Sequence, residues 1–409
     1  MHNNKLVGFI PAFGLSIYIA LMLIPLAQLR YFEAQLTYDA PRVFQVGSVL
    51  SFVVLSSSFF VLKRSAYRAV SLSALIFVAA FIIYIILTSP SSIYPNRSFL
   101  YAGVTTFFFA GCYYFWRQSN FQIELSFKMV FIAIVACFVY LLISLPLRER
   151  TLGWISPNLL AHVGLMSIIS GLIVSGRIKL VAILFGVGLI VFSQSRTVFV
   201  ALAVFFASYV SINYLVNSYK RFIYISIILT LVAPVTPLIS SGLVSAVSSV
   251  SSVILGVDDA NRVSGSGLSG RSAYWENAVY VISERPLIGH GFRTRQSLDY
   301  SEASAVNAHS GFLNLVLDTG ILGAIIFAAL YVVAANRAAL LYFSLRLCND
   351  SIQKRISSVA LSFLIAYLPI FIVEPNYINL SHPTSMLFTL FIMYALSVPL
   401  RFGRSDSLS

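Results

Sequence analysis

Three basic side chains and one acid stand where their chemistry is hard to explain by solvation alone. Arg196 lies in SQSRTV, a turn of about three residues between two apolar runs, with no loop to carry it into water. An arginine at mid-helix costs about 2.5–3.5 kcal/mol on insertion scales, and less near the interface. Two readings follow: a guanidinium snorkelling to lipid phosphate, or an anion site at the membrane surface. Arg271 opens SGRSAYWENAVYVISERP, in which Ser269 suits an N-cap and Pro286 a stop. A helix N-terminus is already positive, so a cation there is a poor choice unless an anion sits between it and the free N–H groups; the alternative is a solvated surface arginine. His309 stands where the chain enters the apolar run AHSGFLNLVLDTGILG, either as an interfacial residue satisfied by water or as a working group. Asp318, about two turns deeper, is the stronger anomaly, because a carboxylate at that depth is costly unless paired. On a helix a separation of nine positions amounts to a rotation of about 900°, which puts His309 and Asp318 on opposite faces.

A second group of polar residues falls on the same, outer side of the expected topology. Asn158 and His162 open another apolar run and share a helix face one turn apart. Glu374 and His382 flank the last connection on the same side, and Arg293 and Arg295 follow the HGF turn. The first four each read as lining a cavity or as satisfied interfacial groups, and the two arginines as contacts to phosphate or to water alone. Asp258-Asp259 lies in a Ser-rich linker and reads as a solvated pair. Cys112, Cys137 and Cys348 show no metal-ligand or disulfide spacing and read as inert.

The elements that must position these groups are membrane helices. Of 409 residues, 58% are hydrophobic and 10% charged, less than half the charge of a soluble domain at about 25%. That excludes a disordered chain, a disulfide scaffold and a soluble nucleic-acid binder. Twelve apolar runs are candidate spans, at roughly 7–28, 43–62, 70–88, 98–116, 129–146, 157–174, 180–193, 197–216, 222–241, 309–335, 356–373 and 384–400, of which the seventh is short. With both termini cytoplasmic, sixteen of the 27 Lys and Arg fall inside, and the whole net charge of +13 is cytoplasmic-facing. The basic balance is therefore a topology signal, and no nucleic-acid partner is expected. The first run reads as an uncleaved anchor. Helices one to nine fill 1–241, a periplasmic loop fills 242–308, and helices ten to twelve with a short tail fill 309–409. Within the loop, Tyr274, Ala278, Val281 and Ile282 recur at helical spacing, which predicts a short amphipathic helix near 271–284 on or near the membrane surface.

The succession SQSRTVFVALAV, GRSAYWENAVYVISERPLIGHGF and AHSGFLNLVLDTGILG, with TLGWISPNLLA upstream, resembles the O-antigen ligase and polymerase superfamily. The motifs cover about 195–325 and, in order and facing outward, are more specific together than singly. The resemblance implies an all-α membrane glycosyltransferase of the GT-C type in the bacterial inner membrane. It would move a glycan from undecaprenyl diphosphate to a sugar hydroxyl of lipid A–core at the periplasmic face, without a metal or other cofactor. Arg196 and Arg271 match the arginines assigned to the donor diphosphate, and His309 the essential loop histidine. Asn158, His162, Asp318, Glu374 and Arg293 are left as acceptor or cavity-lining candidates. Ser310 departs from the family, many members of which carry Asn after the histidine. The implied chemistry suits the residues: guanidinium groups match phosphate oxygens and stay charged, and an imidazole titrates where it can take a hydroxyl proton. A polymerase for O-antigen, capsule or exopolysaccharide is the alternative within the family. A flippase or transporter is the rival from another class, although no matching halves or midplane charges of the carrier kind are visible.

Overall fold

The computed structural model describes residues 13–20, 48–57, 72–144, 147–148, 151–152, 156–215, 271–294, 308–345, 351–375, 377–378, 380 and 382–399. Among them the chain forms twelve α-helices: α1 (13–20), α2 (Ser48–Ser57), α3 (Leu72–Thr88), α4 (Pro95–Trp116), α5 (Asn120–Ser144), α6 (Pro157–Ile173), α7 (Arg177–Ser193), α8 (Arg196–Val210), α9 (Arg271–Glu284), α10 (Gly311–Leu345), α11 (Ser351–Val373) and α12 (Pro383–Ser397). A π turn, Ser211–Leu215, extends α8, and a two-residue antiparallel pair, Leu147–Arg148 with Thr151–Leu152, follows α5. The all-helical class expected from composition is what the structure has. Four stretches are long and apolar enough to cross a membrane: Asn120–Tyr140, Arg196–Tyr214, Gly311–Leu345 and Ile352–Val373. The expected run at 222–241, and the loop residues 242–270 and 295–307, lie outside the described residues.

Two helices form the centre. Every residue of α12 is buried, and α6 is buried from Leu160 to Ile173. A helix apolar all round belongs inside a bundle. α12 is pinned to α4 by Trp116, whose Nε1 donates to the Leu390 carbonyl at 2.6 Å and whose ring meets Tyr394 at 4.7 Å. α6 and α7 form a tight hairpin in which Gly164 and Gly186 face each other so closely that a Cβ on either would strike the other's carbonyl. Small residues at such crossings let backbones approach where lipid supplies no hydrophobic drive. At the other end of α6, Glu124 of α5 accepts from the Ser175 backbone N–H at 3.1 Å and from its hydroxyl, and pairs with Lys128 at 3.1 Å and Arg355 at 3.5 Å. One carboxylate thereby joins α5, the α6–α7 turn and α11.

Helix boundaries differ from the hydropathy reading where charges are satisfied internally. α5 starts at Asn120 instead of 129 because Glu124 and Lys128 pair within its first turns. α10 runs to Leu345 instead of 335 because Arg337 spends its donors on the Ala395 and Val398 carbonyls, at 3.0 and 3.1 Å, at the end of α12.

The largest departure is inside α10. At Gly320 the backbone takes φ 67° and ψ −178°, and the helix breaks. A break at membrane depth frees backbone groups that no water can satisfy. Here the segment Pro286–Gly291 takes their place. Ile321 N–H donates to the Pro286 carbonyl at 2.8 Å and Leu322 N–H to Leu287 at 3.3 Å. In return His290 N–H donates to the Leu317 carbonyl at 2.9 Å and Gly291 N–H to Asp318 at 3.0 Å. The Thr319 carbonyl accepts from the Tyr84 hydroxyl at 2.6 Å. The two backbones are in contact, so a Cβ at Gly289 or Gly320 would overlap the other segment's main chain, and both residues need positive φ. The glycines of PLIGHGF and DTGILG are thus two halves of one joint. Gly320→Ala is expected to lower stability by at least about 2 kcal/mol, from the left-handed backbone penalty and the overlap together. Thermal unfolding in detergent measures this; a wild-type midpoint would contradict the joint.

Candidate functional site

The joint fixes the outer half of α10, and that half carries His309 at its mouth. His309 does not belong to the helix. It takes φ 45° in the turn before Gly311, so the rotation expected between His309 and Asp318 on one continuous helix does not apply. Ser310 is buried, and its hydroxyl accepts from Leu313 N–H at 3.4 Å while its carbonyl accepts from Asn314 N–H at 2.9 Å. The side chain at 310 therefore serves to start the helix. Asn314, wholly buried, holds the approach from the other side: its Oδ1 accepts from Ala308 N–H at 3.1 Å and its Nδ2 donates to the Pro375 carbonyl at 3.2 Å.

α9 lies over this mouth. The expected amphipathic stripe is real, but it is turned to protein: Ala278 and Val281, with Ile282 beside them, pack on Ala308, Leu313 and Leu317. Tyr274 is 49% exposed, and its ring meets His309 edge to face at 5.0 Å. Arg271, the first residue of α9, stands one turn before Tyr274, so the start of this helix is at the histidine. His290, to which the sequence gave no role, is buried beneath α9, with its Nε2 at 2.9 Å from the Val281 carbonyl. It fastens α9 to the joint.

Arg196 is half-buried and opens α8 two residues after Gln194, which takes a left-handed conformation at φ 52°. Ser195 is buried, and its hydroxyl donates to Asn158 Oδ1 at 3.1 Å. The SPN and SQSR motifs therefore meet side chain to side chain, with Ser156 capping α6 through Leu159 N–H. One turn further along α6, His162 is fully buried against His382, ring centroids 4.3 Å apart.

The connection from α11 to α12, Glu374 to His382, collects contacts from several of these elements. Tyr377 donates its hydroxyl to Asp318 Oδ2, which gives the buried carboxylate a partner. Arg293, at φ 59°, donates to the Ile378 carbonyl at 2.9 Å with its guanidinium 5.2 Å above the Tyr101 ring. Tyr18 donates to the Leu380 carbonyl. Glu374 is 4% exposed, at the end of α11. Burial lowers the pKa of His382 from its ordinary histidine value, so this ring is neutral at working pH. The structure thus brings Asn158, His162, Asp318, Glu374 and Arg293 to one loop and its neighbours. Arg196 adjoins them through Ser195, and His309 through Ser310 and Asn314. Tyr377 and Thr384 were missed in the sequence; the density of polar residues in EPNYINLSHPT was the signal that marked them. Among the described residues no three His, Cys, Asp or Glu side chains gather as a metal site.

Residues 180–328 match the family model for O-antigen ligase. The match is consistent with the O-antigen ligase superfamily that the motifs resemble, and it supports a membrane protein of the ligase and polymerase family. It spans Arg196, Arg271, Arg293, His309 and Asp318, and both sides of the Gly320 joint. Asn158, His162, Glu374 and His382 stand outside it. No curated protein matches the chain.

The Tyr377–Asp318 bond joins the matched segment to the loop outside it. A hydrogen bond to a charged acceptor contributes about 1.5–3 kcal/mol. Tyr377→Phe and Asp318→Asn are each expected to destabilise the protein, and the double variant by less than the sum, with a coupling of about 1 kcal/mol or more. Additive losses in thermal unfolding would mean that the two side chains do not act on each other.

Proposed function

We propose that this protein is a glycosyltransferase of the O-antigen ligase type, acting at the periplasmic face of the bacterial inner membrane. It transfers a glycan from an undecaprenyl-diphosphate carrier to a sugar hydroxyl of lipid A–core. The observation that carries the proposal is the contact of His309, within the matched segment, with the ring of Tyr274, which lies one helical turn after Arg271 at the start of α9.

In this reading the acceptor oxygen attacks the anomeric carbon of the donor glycan. The bond from that carbon to the diphosphate oxygen breaks, and the diphosphate leaves on the polyprenyl carrier. His309 takes the proton from the acceptor hydroxyl. Arg196 and Arg271 stabilise the charge that grows on the departing diphosphate, where fixed planar donors act most strongly. The donor already carries a good leaving group, so charge stabilisation and one base suffice for the chemistry. Asn158, Asp318, Glu374 and Arg293 shape the wall against which the acceptor rests.

The test is a surface-glycan gel from the native host lacking this gene, complemented with wild type or variants. Lipid A–core without O-antigen, with long glycan accumulating on undecaprenyl diphosphate, is the expected phenotype. Loss of a general base typically lowers the rate about 10²–10⁴-fold, so His309→Ala should fail to complement while reaching wild-type levels in the membrane. Arg196→Ala and Arg271→Ala should each weaken use of the lipid-linked donor. Lipopolysaccharide capped with a single repeat, or loss of a separate exopolysaccharide, would identify a polymerase instead. Unchanged glycans, or full complementation by His309→Ala, would overturn the assignment.

A further inference from the structure

His162 and His382 come from different parts of the chain, α6 and the turn before α12, yet their rings sit 4.3 Å apart at an interplanar angle of 73°. Thr384 lies between them, with its Oγ1 3.3 Å from His162 Nδ1 and 3.0 Å from His382 Nδ1. A hydroxyl has one hydrogen to give and lone pairs to accept with. For two neutral rings, Thr384 donates to one Nδ1 and accepts from the other, so the two imidazoles must hold opposite tautomers. Removing the hydroxyl leaves both nitrogens facing each other without a mediator. The arrangement is not one that stability alone selects. His162 is fully buried, and its Nε2 has no hydrogen-bond partner among the described residues, where an apolar side chain would carry no such penalty.

What the pair joins explains its presence. On the α6 side, Asn158 lies on the same face one turn away and holds Ser195, the residue before Arg196. On the other side, the connection from Glu374 to His382 holds Asp318 through Tyr377, Arg293 through the Ile378 carbonyl and Asn314 through the Pro375 carbonyl. The first set leads to a donor arginine, the second to the helix behind His309. We propose that His162, Thr384 and His382 form a positioning clasp that sets Arg196 in register with the His309 half of the site, and so governs affinity for the diphosphate of the carrier lipid. The inference rests on the donor role given above to Arg196. None of the three side chains touches the reacting atoms in this scheme.

The experiment measures thermal stabilisation of the purified full-length protein by undecaprenyl diphosphate as a function of its concentration. Thr384→Val keeps the shape and removes the hydroxyl; Thr384→Ser keeps the hydroxyl. Loss of one mediating hydrogen bond should raise the half-saturating concentration of Thr384→Val about fivefold to tenfold, with Thr384→Ser close to wild type. A Thr384→Val curve that overlays wild type, or a serine variant as weak as valine, would overturn the clasp. If Thr384→Val fails to fold, the comparison moves to His162→Asn, whose amide stands near Nδ1, against His162→Gln, whose amide reaches toward Nε2. The clasp requires the asparagine variant to bind more tightly, and equal or reversed affinities would overturn it. Arg196→Ala separates the two readings. If it binds like wild type, the donor role of Arg196 falls, and the clasp with it; if it loses binding while Thr384→Val does not, only the clasp falls.

Discussion

In a membrane a broken helix must find substitutes for every backbone bond it gives up, and the architecture of this site follows from how Gly320 meets that demand. Five main-chain groups around the break are satisfied from outside α10, four by Pro286–Gly291 and one by Tyr84. Because these are backbone contacts, they fix position more firmly than side-chain packing could. α9 follows directly, since Gly289 and His290 tie its end to the joint, and the Ala278 and Val281 stripe then closes over Leu317. His309 is held at the mouth of a short, rigid half-helix, and the long half beyond Gly320 is left to cross the bundle.

The second organising element is the connection between α11 and α12. It lies outside the matched segment, yet it receives Asp318, Arg293, Asn314, Tyr18 and His162. Tyrosine hydroxyls and amide groups reach most of these partners. The contrast with Glu124 is instructive. There a carboxylate gathers Lys128 and Arg355 directly, and joins three elements by charge.

Hydropathy made the helices legible because burial in lipid and burial in protein select the same residues, as the continuous apolar text of α6 and α12 illustrates. It failed where a charge is neutralised by geometry invisible in one dimension, as at Glu124 in α5 and Arg337 in α10. It failed at Gly320 for a related reason: a glycine amid LDTGILGAII reads as a tolerated small residue until the partner backbone is known. The motifs showed which residues were unusual, and spacing alone put Asn158 and His162 on one face. That Asn158 belongs with Ser195, and Asp318 with Tyr377, required the fold, because those pairs are 37 and 59 residues apart.

The stretch 295–307 departs from and returns to two fixed points. Thr294 is held through its hydroxyl by the Gly291 carbonyl at 2.8 Å, and Ala308 through its N–H by Asn314. Closing a loop between anchored ends grows only slowly more costly with length, by about 0.6 kcal/mol per doubling. His309 follows directly on the second of these anchors, so its place is set by the Ala308–Asn314 contact. The position of the histidine is thus inherited with Asn314 and with the joint at Gly320, and not with the length of chain that separates the two anchors.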